Sequence, residues 1–406
     1  MAEEPLLLEG LRVLDVASFI AAPVAATVLA DFGAEVIKVE PLAGDSYRDL
    51  INAPGYGGAP FDYHWFVDNR HKQSLAIDLK AEAGWAILAK LVASADVFVT
   101  NYPSDVRSRL KLTYEDIGPL NPRLIYASLT AYGESGPERA RPGFDSTAWW
   151  ARTGMMDLLR PDPDGAPARS LPGMGDHATG MSLAAAIMMG LYRRERTGKG
   201  GHVSTSLMSN GLWSNAFYAQ AALAGVEVQK RPTQDQAPNA MANHYRCSDG
   251  RWFILALLNE DLQWPVLVRA IGRPDLTDDP RFATTTIRRQ NGPALVAILN
   301  EVFAQRDWPY WKTVFQENRL TFGNVSIMED LRDDEQMRES GALVPVAGDN
   351  APCELTIDSP VRLDGERKRP PVGAPALGAD TRAVLQGAGC SADEIETLVA
   401  TGVVRT

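Results

Sequence analysis

The sequence predicts an α/β protein, a doubly wound parallel sheet with a smaller α+β domain attached. Three observations predict it. Short β-branched runs alternate with helix-like segments from Leu11 to Leu129, the pattern of strands joined by crossover helices. A polar stretch from Gly225 to Pro238 breaks that pattern. The chain is 406 residues long, beyond the roughly 250–300 residues at which a single core stops growing.

Taken in order, Leu11 to Val16 reads as a strand and Ala22 to Phe32 as a helix, with Pro23 in its first turn and Gly33 as its stop. Glu35 to Glu40 is a second strand. This βαβ unit is Rossmann-like, and Glu40 ends the strand where a ribose-binding acid would sit. The turn between Val16 and Pro23, however, holds no glycine for the close approach of a pyrophosphate, which argues against a dinucleotide. Strand Ser74 to Leu79, helix Ala81 to Ser94 and strand Asp96 to Thr100 follow, then a short helical segment to Leu110 and strand Leu124 to Leu129. Ligands of such a sheet sit beyond the carboxyl ends of its strands, where Asn101, Tyr102 and the loop from Gly133 to Gly136 fall.

Gly173-Met-Gly-Asp-His-Ala-Thr-Gly180 opens a helix that continues through an apolar run from Met181 to Tyr192. Its composition predicts a buried helix, closed by three arginines set against the negative end of the dipole and by Gly198. Asp176 stands in its first turn. One reading makes it an N-cap. The other makes it a carboxylate in a glycine-lined cleft, where the glycines admit a substrate and backbone N–H groups stabilise negative charge. Local sequence leaves both open.

Beyond Pro238, the segments around Ser248-Asp-Gly250 form a hairpin signature. Helices are expected near Leu262–Ile271, Arg288–Gln305 and Trp308–Glu317, and after a proline-rich passage at Ala379–Leu385 and Ser391–Thr401. The expected domains are therefore 1–224 (large), 225–330 (small, α+β) and 331–406 (return to the large domain). A net charge of −11 without a long basic block excludes a nucleic-acid partner but leaves room for a basic pocket holding a small phosphorylated ligand. The three cysteines, Cys247, Cys353 and Cys390, lack zinc spacing and read as reduced thiols, so no metal is expected. Acidic residues near Met1 and the absence of an apolar run of about 18 residues suggest a cytoplasmic protein without a membrane partner.

Several runs together resemble the class III CoA-transferases, a family that includes formyl-CoA:oxalate and carnitine CoA-transferases and is related to α-methylacyl-CoA racemases. They are Leu8-Glu-Gly-Leu-Arg-Val-Leu-Asp, Asp31-Phe-Gly-Ala-Glu-Val-Ile-Lys-Val-Glu-Pro41, Gly44-Asp45 with Arg48, Asn69-Arg-His-Lys-Gln-Ser, Asn121-Pro-Arg-Leu-Ile-Tyr-Ala-Ser, Gly175-Asp-His-Ala-Thr-Gly, the Arg-Thr-Gly-Lys-Gly run and Leu377-Gly-Ala-Asp-Thr-Arg. The resemblance covers nearly the whole chain. It implies that Asp176 is a nucleophile forming a mixed anhydride and then an aspartyl-CoA thioester, with acyl-CoA as substrate and no permanently bound cofactor. By position it places CoA against Phe19, Ile20, Ile77, Lys80, Asn101, Tyr102 and Arg109. Pro41 stands where some relatives carry an arginine, so Arg48 is the expected substitute, with Arg139 or Arg141 as a further charge.

The resemblance also implies an interlocked homodimer. Trp149, Arg152, His177 and His244 are candidate substrate contacts, and the expected reaction moves CoA from a succinyl-CoA-like donor to a small organic acid. Oxalate is disfavoured, since Pro238 to Tyr245 replaces the tetraglycine loop of the oxalate enzymes. A racemase is the alternative. It needs a histidine before an aspartate to move an α-proton, yet Phe144 precedes Asp145 here, with His177 as a conceivable substitute. A non-catalytic CoA-binding protein is a second alternative.

Overall fold

The structure is a computed structural model that describes residues 4–54, 58–348 and 351–406. Strands β1 (Arg12–Asp15), β2 (Glu35–Glu40), β3 (Lys72–Ile77), β4 (Val97–Thr100), β5 (Ile125–Thr130) and β6 (Gly201–Ser206) belong to one sheet. Helices α1 (Ala21–Asp31), α2 (Tyr63–Asn69), α3 (Glu82–Ala93) and α4 (Ser104–Leu110) alternate with them. The order across the sheet is β3-β2-β1-β4-β5-β6, with the strand Val404–Arg405 added beyond β3. All neighbours run parallel except this last strand, which pairs antiparallel with Ala76 and Ile77.

Strands β1 to β5 are buried along almost their whole length because both faces of the sheet are covered. Val13, Val36, Val97, Ile125 and Ala127 point to one side, against α1 and the Met174–Thr197 helix. Leu14, Ile37, Phe98 and Tyr126 alternate to the other, against α3 and the helices Thr381–Gly387 and Ala392–Ala400. The chain reverses its winding between β1 and β4, and in such sheets a crevice opens there, outside the carboxyl ends of the strands.

Two compact units divide the chain. The first comprises Met1–Asp157, Arg169–Val228 and Gln336–Thr406; the second comprises Leu158–Ala168 and Gln229–Glu335. The expected limits left Leu158–Ala168 in the large domain, and the structure assigns it to the second unit. That unit has a three-stranded antiparallel sheet (His244–Arg246, Trp252–Leu255, Phe322–Val325) and an aromatic core in which Phe253 lies 4.9 Å from Phe303 and 5.1 Å from Phe315.

Two expectations need correction. The helix expected over Arg288–Gln305 is two helices, Thr285–Gln290 and Gly292–Phe303, broken at Asn291 where Gly-Pro follows. The Met174–Thr197 helix buries one stripe, including Gly175, Thr179, Gly180, Leu183 and Ile187, while Met189 and Tyr192 on its other side are 72% and 65% exposed.

Candidate active site

Gly173 occupies the N-cap of the Met174–Thr197 helix in the left-handed conformation (φ 80°), so the capping reading of Asp176 does not hold. Asp176 is the third residue of the helix. The carboxylate at the helix start is instead that of Asp145, whose Oδ2 accepts the Gly175 N–H at 3.3 Å. Asp145 begins a π-helical turn, Asp145–Ala151, that carries Trp149 and Trp150. The glycines beside Asp176 make room for protein and not for substrate. A Cβ on Gly175 would lie 2.6 Å from Trp149 Cγ, and one on Gly180 would lie 2.6 Å from the Ala21 carbonyl oxygen. The helix start is thereby pressed between the Trp149 indole and α1, which fixes where the Asp176 side chain emerges.

It emerges into a cleft of about 220 Å³ at the sheet's reversal point, lined by Ser18, Phe19, Ile20, Asn101, Phe144 and Asp176 among others. The loop after β1 is tied down from three directions. Asn101 accepts the Ser18 N–H at 2.9 Å and donates to the Ser18 carbonyl at 2.7 Å. Asp45 accepts the Phe19 N–H at 3.2 Å, and Lys38, fully buried, pairs with Asp45 at 3.0 Å and donates to the Ala17 carbonyl at 2.6 Å. These bonds hold Phe19 at φ 59°, a left-handed conformation costly for a bulky residue, and its ring meets Phe144 edge-on at 5.8 Å. Arg139 and Arg141 stand exposed along the same cleft, and Arg141 pairs with Glu138 at 2.5 Å.

A second cavity, of about 290 Å³, is lined by Glu40, Pro41, Ile77, Lys80 and Tyr102, the last of these following Asn101 in the chain. Six of the expected CoA contacts thus line two cavities, Phe19, Ile20 and Asn101 the first and Ile77, Lys80 and Tyr102 the second. Two cations do not. Arg48 turns inward, gripping Glu40 with two bonds of 2.8 Å, donating to the Pro375 carbonyl and stacking 3.7 Å over Trp65. A buried acid at the end of β2 needs a cation, and Arg48 supplies it. Arg109 is exposed on α4 and borders neither cavity.

Of the expected substrate contacts, Trp149 is 5% exposed and serves as packing under Gly175. Arg152 pairs with Glu138 at 3.2 Å near the cleft's arginines. His244 is exposed on the first strand of the second unit.

Electrostatics single out the pair Asp176–His177. Burial pushes the Asp176 carboxyl up to about 7, with Asp145 and Asp68 adding to the rise and His177 opposing it. Burial lowers His177, but its bond to Asp68 outweighs this and raises it to about 9. Asp68 and Asp145 carry no signal of these roles in the sequence. Phe144-Asp145 was weighed only for the histidine it lacks, and nothing local marks Asp68 at the end of α2 as a partner for a residue 109 positions away. Among the described residues, no group of three or more His, Cys, Asp or Glu could hold a metal ion, and no helix is long and apolar enough to cross a membrane.

A doubly wound sheet with a carboxylate in a cleft at its reversal point is an α/β fold with a candidate ligand site. The chain belongs to CoA-transferase family III, whose model matches residues 8–381. It is thus a CoA-transferase, taking CoA thioesters as substrates. It is 32% identical over 402 residues to the (R)-2-hydroxy-4-methylpentanoate CoA-transferase of Clostridioides difficile, covering 98% of this chain and 100% of that protein. It is 34% identical over 406 residues to the succinyl-CoA:glutarate CoA-transferase of Mus musculus, covering 98% and 90%. A crystal structure of a CAIB/BAIF family protein from Brucella suis superposes with a TM-score of 0.84 at 29% identity, over 95% of this chain and 100% of that one.

Proposed function

We propose that Asp176 is the nucleophile that carries CoA from a succinyl-CoA-like donor to a small organic carboxylic acid. The observation that carries this reading is the position of Asp176, the acid that lines the cleft at the reversal point of the sheet. Its carboxylate attacks the thioester carbonyl and expels CoA thiolate, leaving a mixed anhydride. The thiolate then attacks the aspartyl carbonyl, releasing the donor acid and leaving an aspartyl-CoA thioester. The acceptor carboxylate attacks that thioester, expels the thiolate and forms a second anhydride. Attack of the thiolate on the acceptor's acyl carbon yields the new acyl-CoA and free Asp176. No base is needed to activate a carboxylate, and the cleft's hydroxyl groups, Ser18 and Thr130, have no histidine beside them among its lining residues.

Phe19, Ile20 and Asn101 would hold the pantetheine arm, and Ile77, Lys80 and Tyr102 the nucleotide end. Arg139 and Arg141 suit an acceptor with a second carboxylate, in keeping with the glutarate in the mouse relative's name. The racemase reading is disfavoured because His177 lines a different cavity from Asp176 and has both ring nitrogens engaged. The working form would be a homodimer. Trp213, Phe217 and Leu223, on the helices Leu207–Ser214 and Ala216–Leu223, are each more than 80% exposed, apolar surface suited to a second copy.

The test incubates the protein with succinyl-CoA and a panel of carboxylates, traps with hydroxylamine or borohydride and reads intact mass. A CoA adduct lost in Asp176→Ala, with CoA moving to one acid, is the expected result. Exchange of an α-deuterium into a 2-methylacyl-CoA without any adduct would overturn the reading. Binding of CoA with neither reaction, unchanged in Asp176→Ala, would leave a non-catalytic CoA-binding protein.

A further inference from the structure

His177 directly follows the candidate nucleophile, yet its ring lines a separate cavity of about 470 Å³, bordered by Val24, Asp68, Met181 and Ile357. Both ring nitrogens meet acceptors. Nδ1 lies 2.9 Å from the Gly173 carbonyl oxygen and Nε2 lies 2.9 Å from Asp68 Oδ1. Neither a carbonyl nor a carboxylate can donate, so both contacts are hydrogen bonds only if both nitrogens carry protons, which makes the ring an imidazolium. Asp68 is itself held: its side chain is 2% exposed and Oδ2 accepts the Tyr47 hydroxyl at 2.6 Å. Gly173 is the N-cap, so the ring ties the loop before the helix to the turn that carries Asp176.

We propose that His177 is a positioning residue for CoA transfer: locked as a cation between Asp68 and Gly173, it fixes the first turn of the helix and opposes protonation of the Asp176 carboxyl. This rests on the reading of Asp176 as nucleophile. Asp176 faces two charges of its own sign, Asp145 and Asp68, with Arg139 and Arg141 along the cleft. His177 faces Asp68, Asp176 and, across its cavity, Asp358 and Arg70, the last engaged by Asp31 at 2.7 Å. The ring is half exposed, and solvent softens its effect without removing it. Its proton is held up to about 9, so the cation persists where a histidine at about 6.5 would have lost it.

The test uses a readout that does not depend on finding the natural substrate. Carboxyl infrared difference spectra, wild type minus Asp176→Asn, follow the Asp176 titration directly, and the same experiment is run in His177→Gln. The inference expects the His177→Gln midpoint to lie above the wild-type midpoint, with kcat/KM near pH 7 reduced about tenfold, recovering toward pH 9 at unchanged KM. Superimposed titrations, or a loss of kcat that is the same from pH 6 to pH 9, would overturn it. Should His177→Gln fail to fold, imidazole NMR of Asp68→Asn decides: the ring's midpoint falls from about 9 toward about 6.5, and an unchanged midpoint refutes the lock. Retained transfer by Asp176→Ala would instead remove the nucleophile reading and leave the titration result standing.

Discussion

Substitution of Gly180 by alanine probes the contact that sets the position of Asp176. The added Cβ would stand 2.6 Å from the Ala21 carbonyl oxygen and 2.9 Å from Val24 Cγ1, against 3.4 Å or more for an ordinary contact. The neighbour is backbone and cannot rotate away, so the two helices must part by roughly 0.8 Å, a gap that forfeits a quarter to a half of each dispersion contact across it. Overpacking of this kind costs about 3 kcal/mol at the upper end of its range. Alanine returns about 1 kcal/mol of helix propensity. The net loss of about 2 kcal/mol, set against an unfolding entropy of about 2.1 cal/mol/K per residue, corresponds to a Tm lowered by roughly 2–4 °C. Asp176 lies one turn away, and a displacement approaching 1 Å at a reacting group costs up to about 100-fold in rate. Gly190→Ala is the control on the same helix, because its Cβ meets only the Ile125 and Val203 methyls, at 3.0 and 3.2 Å, which can yield. Calorimetry and steady-state kinetics on both variants decide. If Gly180→Ala melts no lower than Gly190→Ala and keeps full kcat, the close approach of the two helices does not position the nucleophile.

Three further outcomes are expected. With its carboxyl raised to about 7, native Asp176 holds a proton that the unfolded chain releases above about 4, so the group costs stability as pH rises between those values; Asp176→Asn should melt above wild type at pH 8 and level with it near pH 4. Lys72 is buried and reaches Asp15 at 2.8 Å, Asn69 and the Pro23 and Asp68 carbonyls. Lys72→Met removes the closer of the two buried ammonium partners of Asp15 and leaves Lys38 at 3.8 Å, and urea denaturation should show a loss of about 3 kcal/mol, the low end for breaking a buried pair. Arg48→Ala should lower Tm by unpairing Glu40 while leaving KM for acyl-CoA little changed; a raised KM at unaltered Tm would restore Arg48 to the phosphate site.

The parallel sheet was legible because its strands are short, β-branched and bounded by helix stops, signals that survive in sequence when both faces are buried. β6 was not. Gly201–Ser206 alternates half-buried and exposed residues up to the buried Ser206 at the sheet's edge, and its serines and threonine resemble a loop. Asp176 was legible as a chemical group through its resemblance, whereas the roles of its neighbours were not. Glycine is read as freedom or access, and only in the folded chain is the space at Gly175 found filled by an indole. Arg48 shows the same limit: a cation near an expected phosphate looks like a ligand until Glu40 is found beneath it.

The last strand of the main sheet, Val404–Arg405, and the helices before it reach β3 from more than 300 residues away along the chain. The second unit, apart from Leu158–Ala168, is contiguous from Gln229 to Glu335. On a ribosome it therefore has its sequence in hand while the older unit still lacks a sheet edge and the C-terminal helices that share one covering layer with α3. The nascent large unit must wait with β3 unpaired on that side, which makes this edge the place where a chaperone, or a misplaced strand from another chain, has the longest opportunity.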